Sequence, residues 1–343
     1  MLDSPGTGNG NQPSATSGDA PWLLRVEHLR TWFPIKKGLF RHTVGHVRAV
    51  DGVDLAIRAG RTLALVGESG CGKTTVGRSV IRLIEPQEGK VWFDGTELLS
   101  LDPEALRPYR RHIQMVFQDP MTSLNPRMRV RDIIAEGMAS FGIGQVESER
   151  TERVATLLRR VQLDPDHLWR FPHEFSGGQR QRIGIARALA VEPRLIIADE
   201  AVSALDVSIR AQILNLLRDL QQELQIAYLF ITHDLSVVRY LADEVSVMYL
   251  GQIVEHGAVE RVFNQPKHPY TKGLLAAVPS ADPQKPRVQV KVLGDVPSPA
   301  NPPSGCRFHT RCPEVFDRCP REAPPLYPVA DGVSRCFLCE PSS

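Results

Sequence analysis

Short apolar runs separated by turns predict most of the strands in this chain. From Trp22 onward, the runs LLRV, VDLAI and TLALVG predict three strands, and Gly60 lies in the turn between the last two. Later, LIIAD at 195–199 and AYLFIT at 227–232 are continuously apolar, which is typical of strands buried on both faces of a sheet. The segment SIRAQILNLLRDLQQEL between them predicts a helix, so these three elements form a strand, helix, strand unit.

Helical spacing replaces these runs in the middle of the chain. The segment ERTERVATLLRRVQL has apolar residues every three or four positions with Arg and Glu between them, which predicts one apolar helix face formed by Val154, Leu157, Leu158 and Val161. Strands and helices therefore alternate, and we predict an α/β fold. Its core is a parallel and mixed sheet at 22–265, with a helical subdomain at about 100–175.

Two flanking segments differ from this core. Residues 1–21 are rich in Gly, Ser, Pro and Asn and have almost no large apolar side chains, which predicts a disordered tail. Residues 266–343 contain many prolines, one short alternating strand, VQVKV, and five of the six cysteines. We predict that this segment is a small cysteine-bearing extension of the core.

Composition and charge exclude several classes of protein. With 42% hydrophobic and 23% charged residues the chain is neither fibrous nor wholly disordered. Its 41 basic and 39 acidic residues leave a net charge of +2, so nucleic acid is not predicted as a partner. No apolar run approaches the roughly 18–20 residues needed to cross a bilayer, and the start lacks the features of a secretory signal. Any work at a membrane is therefore expected to depend on another subunit.

The segment ALVGESGCGKTT has the form of a phosphate-binding loop. A strand leads into GxxxxGKT and then into a helix, and Gly67, Gly70 and Gly72 let backbone amides converge on phosphate oxygens. Lys73 is expected to reach the β- and γ-phosphates and Thr74 to bind Mg2+. The alternative, a chance glycine loop, is disfavoured by the strand before it. The remaining predicted nucleotide contacts of the loop come from Ser69, Cys71 and Thr75, with no chemistry assigned to the thiol.

Two further segments complete a predicted nucleotide site. RLIIADE places Asp199 where it could hold Mg2+ and Glu200 where it could polarise the attacking water. Without the phosphate loop, two acids after a strand would simply be a solvated strand end. In FSGGQRQRIGIARALA, Ser176 is a good helix N-cap, so a second helix start is able to bind an anion. One nucleotide can use both helix starts only from opposite sides, which predicts that a second protomer supplies one of them.

Six motifs, in order over about 170 residues, resemble the nucleotide-binding subunit of an ABC transporter. They are GESGCGKT as Walker A, MVFQDP with Gln118 as Q-loop, FSGGQ as signature, LIIADE as Walker B, SALD with Asp206 as D-loop, and FITHD with His233 as H-loop. The resemblance implies an ABC-type P-loop ATPase in which two domains enclose two ATP molecules head to tail. Each ATP would be contacted by the signature of the other domain, through Ser176, Gly177, Gly178 and Gln179.

The resemblance also implies a role for each catalytic residue. Glu200 would be the general base or would orient the water, and His233 would contact the γ-phosphate. Gln118 would sense Mg2+ and the water and connect the site to a transmembrane partner. A lone histidine at a strand end is more often structural, but the order and spacing of the motifs favour the catalytic role.

At two positions the family pattern is less clear. Family members stack adenine on an aromatic residue before the core, for which Trp32, Phe33 and Phe40 are candidates and Phe33 is favoured. The family usually has Pro after the catalytic Glu200, whereas this chain has Ala201. Because Pro fixes φ, its absence is expected to loosen the following loop without abolishing activity.

The chain also resembles, more narrowly, the ATP-binding subunits of oligopeptide and dipeptide importers, a group that includes nickel and glutathione importers. This resemblance runs from about Trp22 to about Cys336. It is carried by GLFRHTVGHVRAVDGV, QDPMTSLNPRM, DEAVSALDVSIRAQILNLL and HPYTKGLLAAVP. It implies a peripheral subunit on the cytoplasmic face of the inner membrane. Its partners would be a second ATP-binding subunit, identical or different, two transmembrane permeases and an extracytoplasmic binding protein. A soluble ABC ATPase is the alternative, but the chain has one motif set and no sustained heptads.

Four cysteines near the end, Cys306, Cys312, Cys319 and Cys336, with Cys339 as an extra, suggest a structural centre. Disulfides are disfavoured in the reducing compartment of a cytosolic ATPase. Structural zinc sites usually use closer pairs, and four thiolates can also hold an iron–sulfur cluster. Some peptide-importer relatives with such a tail carry a 4Fe–4S cluster, so the resemblance implies this cofactor, with Zn2+ as the alternative.

Overall fold

The computed structural model describes residues 22–38, 42–278 and 292–341. The strands in these ranges are β1 (Trp22–Lys37), β2 (His42–Arg58), β3 (Thr62–Val66), β4 (Glu88–Phe93), β5 (Thr96–Glu97), β6 (Ile113–Val116), β7 (Leu195–Asp199), β8 (Ala227–Thr232), β9 (Glu244–Tyr249), β10 (Gln252–Ala258), β11 (Tyr327–Val329) and β12 (Gly332–Ser334). The predicted tail, Phe40 and all of VQVKV except Val292 lie outside the described residues.

The α-helices in the same ranges are α1 (Lys73–Val80), α2 (Pro103–His112), α3 (Pro120–Ser123), α4 (Val130–Ser140), α5 (Glu147–Arg160), α6 (Gly177–Leu189), α7 (Val207–Leu224), α8 (Leu235–Leu241), α9 (Val259–Asn264) and α10 (Pro269–Ala276). The predicted unit of two buried strands and a helix is confirmed as β7, α7 and β8. The predicted apolar helix face is also confirmed, because Val154, Leu157 and Leu158 are buried on α5 and Val161 is buried immediately after it.

Two sheets form the framework. The larger has the order β11-β12-β10-β9-β3-β8-β7-β6, in which β9, β3, β8, β7 and β6 run parallel and the rest pair antiparallel. The smaller, β2-β1-β4-β5, is antiparallel. The mixed sheet predicted from the sequence is therefore confirmed. The strand β6 lies inside the 100–175 range predicted as helical and joins the larger sheet beside β7.

The central strands β9, β3, β8 and β7 of the larger sheet are buried on both faces, which explains their continuous apolar runs. Successive side chains of a strand point to opposite faces. Ile196 and Phe230 accordingly pack with the helices α4 to α7, whereas Ile197 and Leu229 pack with α1 and the smaller sheet. Each run therefore supplies two separate apolar cores.

Parallel strands bring their carboxyl ends to one edge of the sheet, and ligands bind at that edge in open α/β folds. The phosphate loop follows β3, and Gln118 lies two residues after β6. Asp199 ends β7, and His233 follows β8 directly. Residues far apart in the chain thus meet at this edge. The described ranges contain no helix with both the length and the apolar character needed to cross a membrane.

Candidate active site

The phosphate loop is shaped by close approach to neighbouring backbone. Gly72, at φ +111°, caps the start of α1, and a Cβ added there would lie 2.0 Å from the carbonyl oxygen of Ala49. A Cβ at Gly67 would lie 2.2 Å from the carbonyl oxygen of Met248. Only glycine fits at these two positions, so the loop packs closely against the middle of β2 and the end of β9. Ser69 and Gly70 are exposed at its tip, whereas Cys71 is buried and Thr75 is half-buried.

Lys73, Thr74 and Asp199 lie together as the sequence predicts. The ammonium of Lys73 is buried and donates hydrogen bonds to the carbonyl oxygens of Gly67, at 2.8 Å, and Glu68, at 3.0 Å. The hydroxyl of Thr74 donates to Oδ1 of Asp199 at 2.8 Å. Burial raises the pKa of Asp199, and the Thr74 hydroxyl opposes that shift. A hydroxyl and a carboxylate are oxygen donors that Mg2+ prefers, so these two residues fit the metal.

Glu200 is held by residues from three loops. Its Oε2 accepts a hydrogen bond of 3.0 Å from Nε2 of Gln118, and its Oε1 is 3.4 Å from Nδ1 of His233. Glu200 also has a left-handed backbone at φ +46°, which costs roughly 1–2 kcal/mol for a residue with a side chain. Its N–H donates to the carbonyl oxygen of Ile231 at 2.9 Å, and its carbonyl accepts from the hydroxyl of Ser203 at 2.8 Å. The strained turn thus lies at the residue whose carboxylate contacts Gln118 and His233.

Among the hydrogen bonds of the described residues, none joins the signature residues 176–179 to the phosphate loop of the same chain. Ser176 caps α6, and its Oγ accepts from the N–H of Gln179 at 3.3 Å while the Gln179 amide oxygen accepts from the Ser176 N–H at 3.0 Å. Ser176 and Gly177 are exposed, and Gly178 is buried against Ile209 of α7. The completion of a phosphate site by these residues of a second domain stays a prediction. Asp206, just before α7, is exposed as well.

Among the aromatic candidates for adenine, Trp32 and Phe33 differ in their surroundings. The Trp32 ring lies 5.2 Å from the Arg48 guanidinium and 6.1 Å from the His46 ring. Phe33 is 39% exposed, so its ring has surface for a ligand. The role of Phe33 stays a prediction. Ala201, which stands where the family usually has Pro, is buried in the apolar core that includes the helices α4 to α7. Its effect on activity also stays a prediction.

The cysteines of the extension come together, but not as a metal site. Cys306, Cys312, Cys319 and Cys336 line one small pocket beside Phe337, and every cysteine of the described residues is free. Burial raises the pKa of Cys312 to about 11 and that of Cys336 to about 12. Throughout the described ranges, no group of three or more His, Cys, Asp or Glu side chains is arranged to hold a metal ion. The structure therefore does not support the predicted 4Fe–4S cluster or the zinc alternative.

One set of contacts was missed in the sequence. Glu68, inside the phosphate loop, receives two hydrogen bonds from the Arg311 guanidinium, and its N–H donates to the hydroxyl of Tyr270. Tyr270 lies in HPYTKGLL and Arg311 lies directly before Cys312, so both follow the nucleotide motifs in the chain. No spacing rule links them to the loop, because the contact depends on how the extension folds back.

A phosphate loop, a hydroxyl and carboxylate pair that fits Mg2+, and a positioned second carboxylate are together typical of a P-loop ATPase. The comparisons agree: the ABC transporter family matches residues 50–203, and the oligopeptide/dipeptide transporter, C-terminal region, matches residues 254–319. The "Probable peptide ABC transporter ATP-binding protein y4tS" of Sinorhizobium fredii is 54% identical over 310 residues, covering 90% of this chain and 88% of that protein. The "Oligopeptide transport ATP-binding protein AppF" of Bacillus subtilis is 51% identical over 312 residues, covering 90% and 94%.

Solved structures share the fold. That of cbiO1 from Clostridium perfringens, part of the ABC transporter complex cbiONQ, has a TM-score of 0.60 at 28% identity and covers 74% of this chain and 95% of that one. The dimeric post-hydrolysis state of the ATP-binding cassette MJ0796, bound to ADP and Pi, has a TM-score of 0.60 at 26% identity and covers 69% and 98%. The chain belongs to the family of peptide ABC transporter ATP-binding proteins. It is an ATPase that uses ATP and Mg2+, and the predicted fold class, family and enzyme activity are confirmed.

Proposed function

We propose that this chain hydrolyses ATP to drive the import of peptides through a membrane-embedded permease. The main support is that two groups of residues lie together at one edge of the larger sheet. Thr74 contacts Asp199, and both Gln118 and His233 contact Glu200. The peptide as cargo is supported by the names of the relatives and by the match of residues 254–319 to the transporter C-terminal region.

The geometry supports a direct mechanism for hydrolysis. Lys73 would exchange its loop carbonyls for the β- and γ-phosphates of ATP. Thr74 and Asp199 would hold Mg2+, which would supply neutralisation of the phosphate charge. Glu200 orients the attacking water and accepts its proton as the bond to the γ-phosphorus forms and the bond to the ADP oxygen breaks. Gln118 and His233 hold the two carboxylate oxygens of Glu200, so the base is positioned before ATP arrives.

A second ATP-binding subunit, identical or different, completes the site in this proposal. Ser176 and Gly177 are exposed at the start of α6, and the helix dipole favours an anion there. Asp206 and Val207 are exposed beside them, and Val207 is 80% exposed. An apolar side chain this exposed next to an anion-binding helix start is suited to a protein interface.

The permease is proposed to dock in a groove between the helical region and the larger sheet. The groove has a volume of about 440 Å³, and its lining is largely apolar, including Leu83, Phe117, Ile133 and Phe141. Phe117 directly precedes Gln118, so an occupant of the groove would lie next to the residue that holds Glu200. This placement supports a peripheral position on the cytoplasmic face of the membrane, with an extracytoplasmic binding protein delivering cargo to the permease.

The cysteine pocket is proposed to bind a 4Fe–4S cluster once its side chains adjust. Support comes from the convergence of Cys306, Cys312, Cys319 and Cys336, since four thiolates are what such a cluster needs. Its role would be to stabilise the short extension. Anaerobically purified protein is expected to contain about four irons and four acid-labile sulfides per chain. One zinc without iron would replace the cluster with a structural zinc, and a metal-free chain would end both versions.

An uptake experiment tests the proposed cargo. The chain is expressed with its permeases and binding protein in cells lacking their own peptide importers, and uptake of labelled tripeptide, Ni2+ and glutathione is compared. We expect tripeptide uptake that disappears in Glu200→Gln. Uptake of Ni2+ or glutathione in place of tripeptide would move the chain to another importer of the group. Isolation of the chain with ribosomes instead of permeases would contradict import altogether.

A further inference from the structure

The extension that follows the nucleotide motifs reaches back to the phosphate loop at Glu68. Nη1 of Arg311 donates to Oε2 of Glu68 at 2.8 Å, and Nη2 donates to Oε1 at 3.1 Å. The N–H of Glu68 donates to the hydroxyl of Tyr270 at 2.9 Å. Both the side chain and the backbone of one loop residue are therefore held by the extension. We call Glu68, Tyr270 and Arg311 the extension clamp.

The clamp is built like an interior contact. Arg311 is 7% exposed, and its side chain forms a two-bond fork with the carboxylate, the strongest arrangement of this ion pair. The hydrogen bonds that Arg311 donates to the Glu68 carboxylate raise the pKa of Arg311, so the guanidinium stays charged. Its centre also lies 5.7 Å from the ring of Tyr249. Such an arginine is not a solvated surface charge.

Three aromatic rings pack against one another next to the Arg311 guanidinium. Tyr249 at the end of β9, Tyr270 in α10 and Phe308 in the extension have ring centroids 4.7 to 5.4 Å apart. The N–H of Arg311 donates to the carbonyl oxygen of Phe308 at 2.9 Å. The position of the guanidinium is thus fixed by buried rings from three different parts of the chain.

Glu68 lies where its charge and its backbone both affect ATP. Its carbonyl accepts from the ammonium of Lys73 at 3.0 Å, so it directly neighbours the group that binds phosphate. A carboxylate without a counter-charge at this position would repel a triphosphate, and a loose loop would lose the convergence of its amides. The pairing with Arg311 removes the first effect, and the bond to Tyr270 opposes the second.

We propose that Arg311 and Tyr270 are positioning residues for ATP binding, which neutralise and fix Glu68 in the phosphate loop. The proposal rests on the ATPase activity but not on peptides as the cargo. It makes the extension part of the nucleotide site and not only an addition to the sheet. Among the described residues, no hydrogen bond joins the clamp to Glu200, Gln118 or His233. Loss of the clamp is therefore expected to change the affinity for ATP and not the rate of the chemical step.

The test measures MgATP binding to the full-length chain by calorimetry, together with the KM and kcat of hydrolysis. Arg311→Ala is expected to raise Kd and KM about tenfold, equivalent to about 1.4 kcal/mol, with kcat within about twofold of the parent. Arg318→Ala is the matched control, because Arg318 lies in the same extension and pairs with Glu322 and Glu340 on its surface. The control is expected to keep the parental Kd.

A second change separates charge from structure. The double variant Glu68→Gln with Arg311→Ala tests whether the unpaired carboxylate causes the loss of MgATP affinity. If it does, the Kd of the double variant lies within about threefold of that of Glu68→Gln alone, because contacting residues couple in a double-mutant cycle. The proposal is overturned if the double variant binds as weakly as Arg311→Ala, or if Arg311→Ala keeps the parental Kd.

Should Arg311→Ala not fold, Tyr270→Phe provides the test. This change keeps the ring but removes the hydroxyl that accepts from the Glu68 N–H. A Kd raised about threefold supports the proposal, equivalent to about 0.7 kcal/mol, and a parental Kd contradicts it.

Discussion

Thr74 donates a hydrogen bond of 2.8 Å to Asp199, joining the first turn of α1 to the last residue of β7. The two residues are 125 positions apart, and the parallel order of β3, β8 and β7 brings them together. Without Mg2+ the hydroxyl satisfies the buried carboxylate. In the proposed mechanism both oxygens would turn to Mg2+, so we expect the ion to bind at this contact.

Asp199→Asn is expected to weaken MgATP binding about tenfold, equivalent to about 1.4 kcal/mol, because an amide is a poorer ligand for Mg2+ than a carboxylate. ATP in EDTA should bind the variant and the parent alike, since no metal is then involved. Calorimetry with and without Mg2+ measures both values. Asp94→Asn is the control, because Asp94 is an exposed carboxylate paired with Arg194. An equal loss in EDTA would mean that Asp199 does not act through the metal.

Glu200→Gln is expected to bind MgATP like the parent but to hydrolyse it at least about 100-fold more slowly, the usual contribution of a general base. Because ATP then persists, the variant should form a lasting dimer in size-exclusion chromatography with light scattering. Adding Ser176→Arg should abolish that dimer while leaving MgATP binding intact, since Ser176 is exposed and its described capping hydrogen bonds are with Gln179 and not with the phosphate loop of its own chain. Hydrolysis at the parental rate would remove Glu200 from the mechanism.

The sequence predicts local features well where a physical rule acts on neighbours. LIIAD and AYLFIT are confirmed as β7 and β8 with the expected bounds, because strands buried on both faces must be continuously apolar. Ser176 is confirmed as the cap of α6, because only a few side chains can satisfy the first amides of a helix. The loop glycines are likewise required wherever backbones approach closely.

Contacts between distant segments could not be predicted in the same way. The pairing of Arg311 with Glu68 spans 243 positions and depends on the path of the extension. The strand β6 was also absent from the prediction, because IQMV is too short to be told from a buried helix turn by periodicity. The cysteine spacing suggested a cluster through family resemblance, yet spacing does not fix the distances between sulfurs.

Ala201 tests how much the usual proline matters. Ala201 and Val202 are buried, and the preceding carbonyl of Glu200 accepts from Ser203, so the loop is already fixed without Pro. The parent is therefore expected to hydrolyse ATP above background, and Ala201→Pro should change kcat by less than about twofold, or about 0.4 kcal/mol. A steady-state phosphate-release assay measures both. Background turnover in the parent that Ala201→Pro restores would show that the loop needs the proline.

The buried His268 makes stability depend on pH. Its Nδ1 accepts from the N–H of Tyr270 at the start of α10, and burial lowers its pKa to about 3. The unfolded chain takes up a proton near pH 6.5 but the folded chain does not, so the free energy of unfolding falls as the pH drops below about 6.5. At pH 5 this loss should reach about 2 kcal/mol, at 1.36 kcal/mol per pH unit.

His268→Asn isolates this contribution, because Asn also caps helices but does not titrate. Urea unfolding at pH 7.5 and pH 5 should show that the variant loses about 2 kcal/mol less than the parent between the two values. His173→Asn serves as the control, because His173 is exposed, and it should lose as much as the parent. Equal losses in the parent and His268→Asn would mean that the imidazole is protonated in the folded chain, and that the burial of His268 does not keep it neutral.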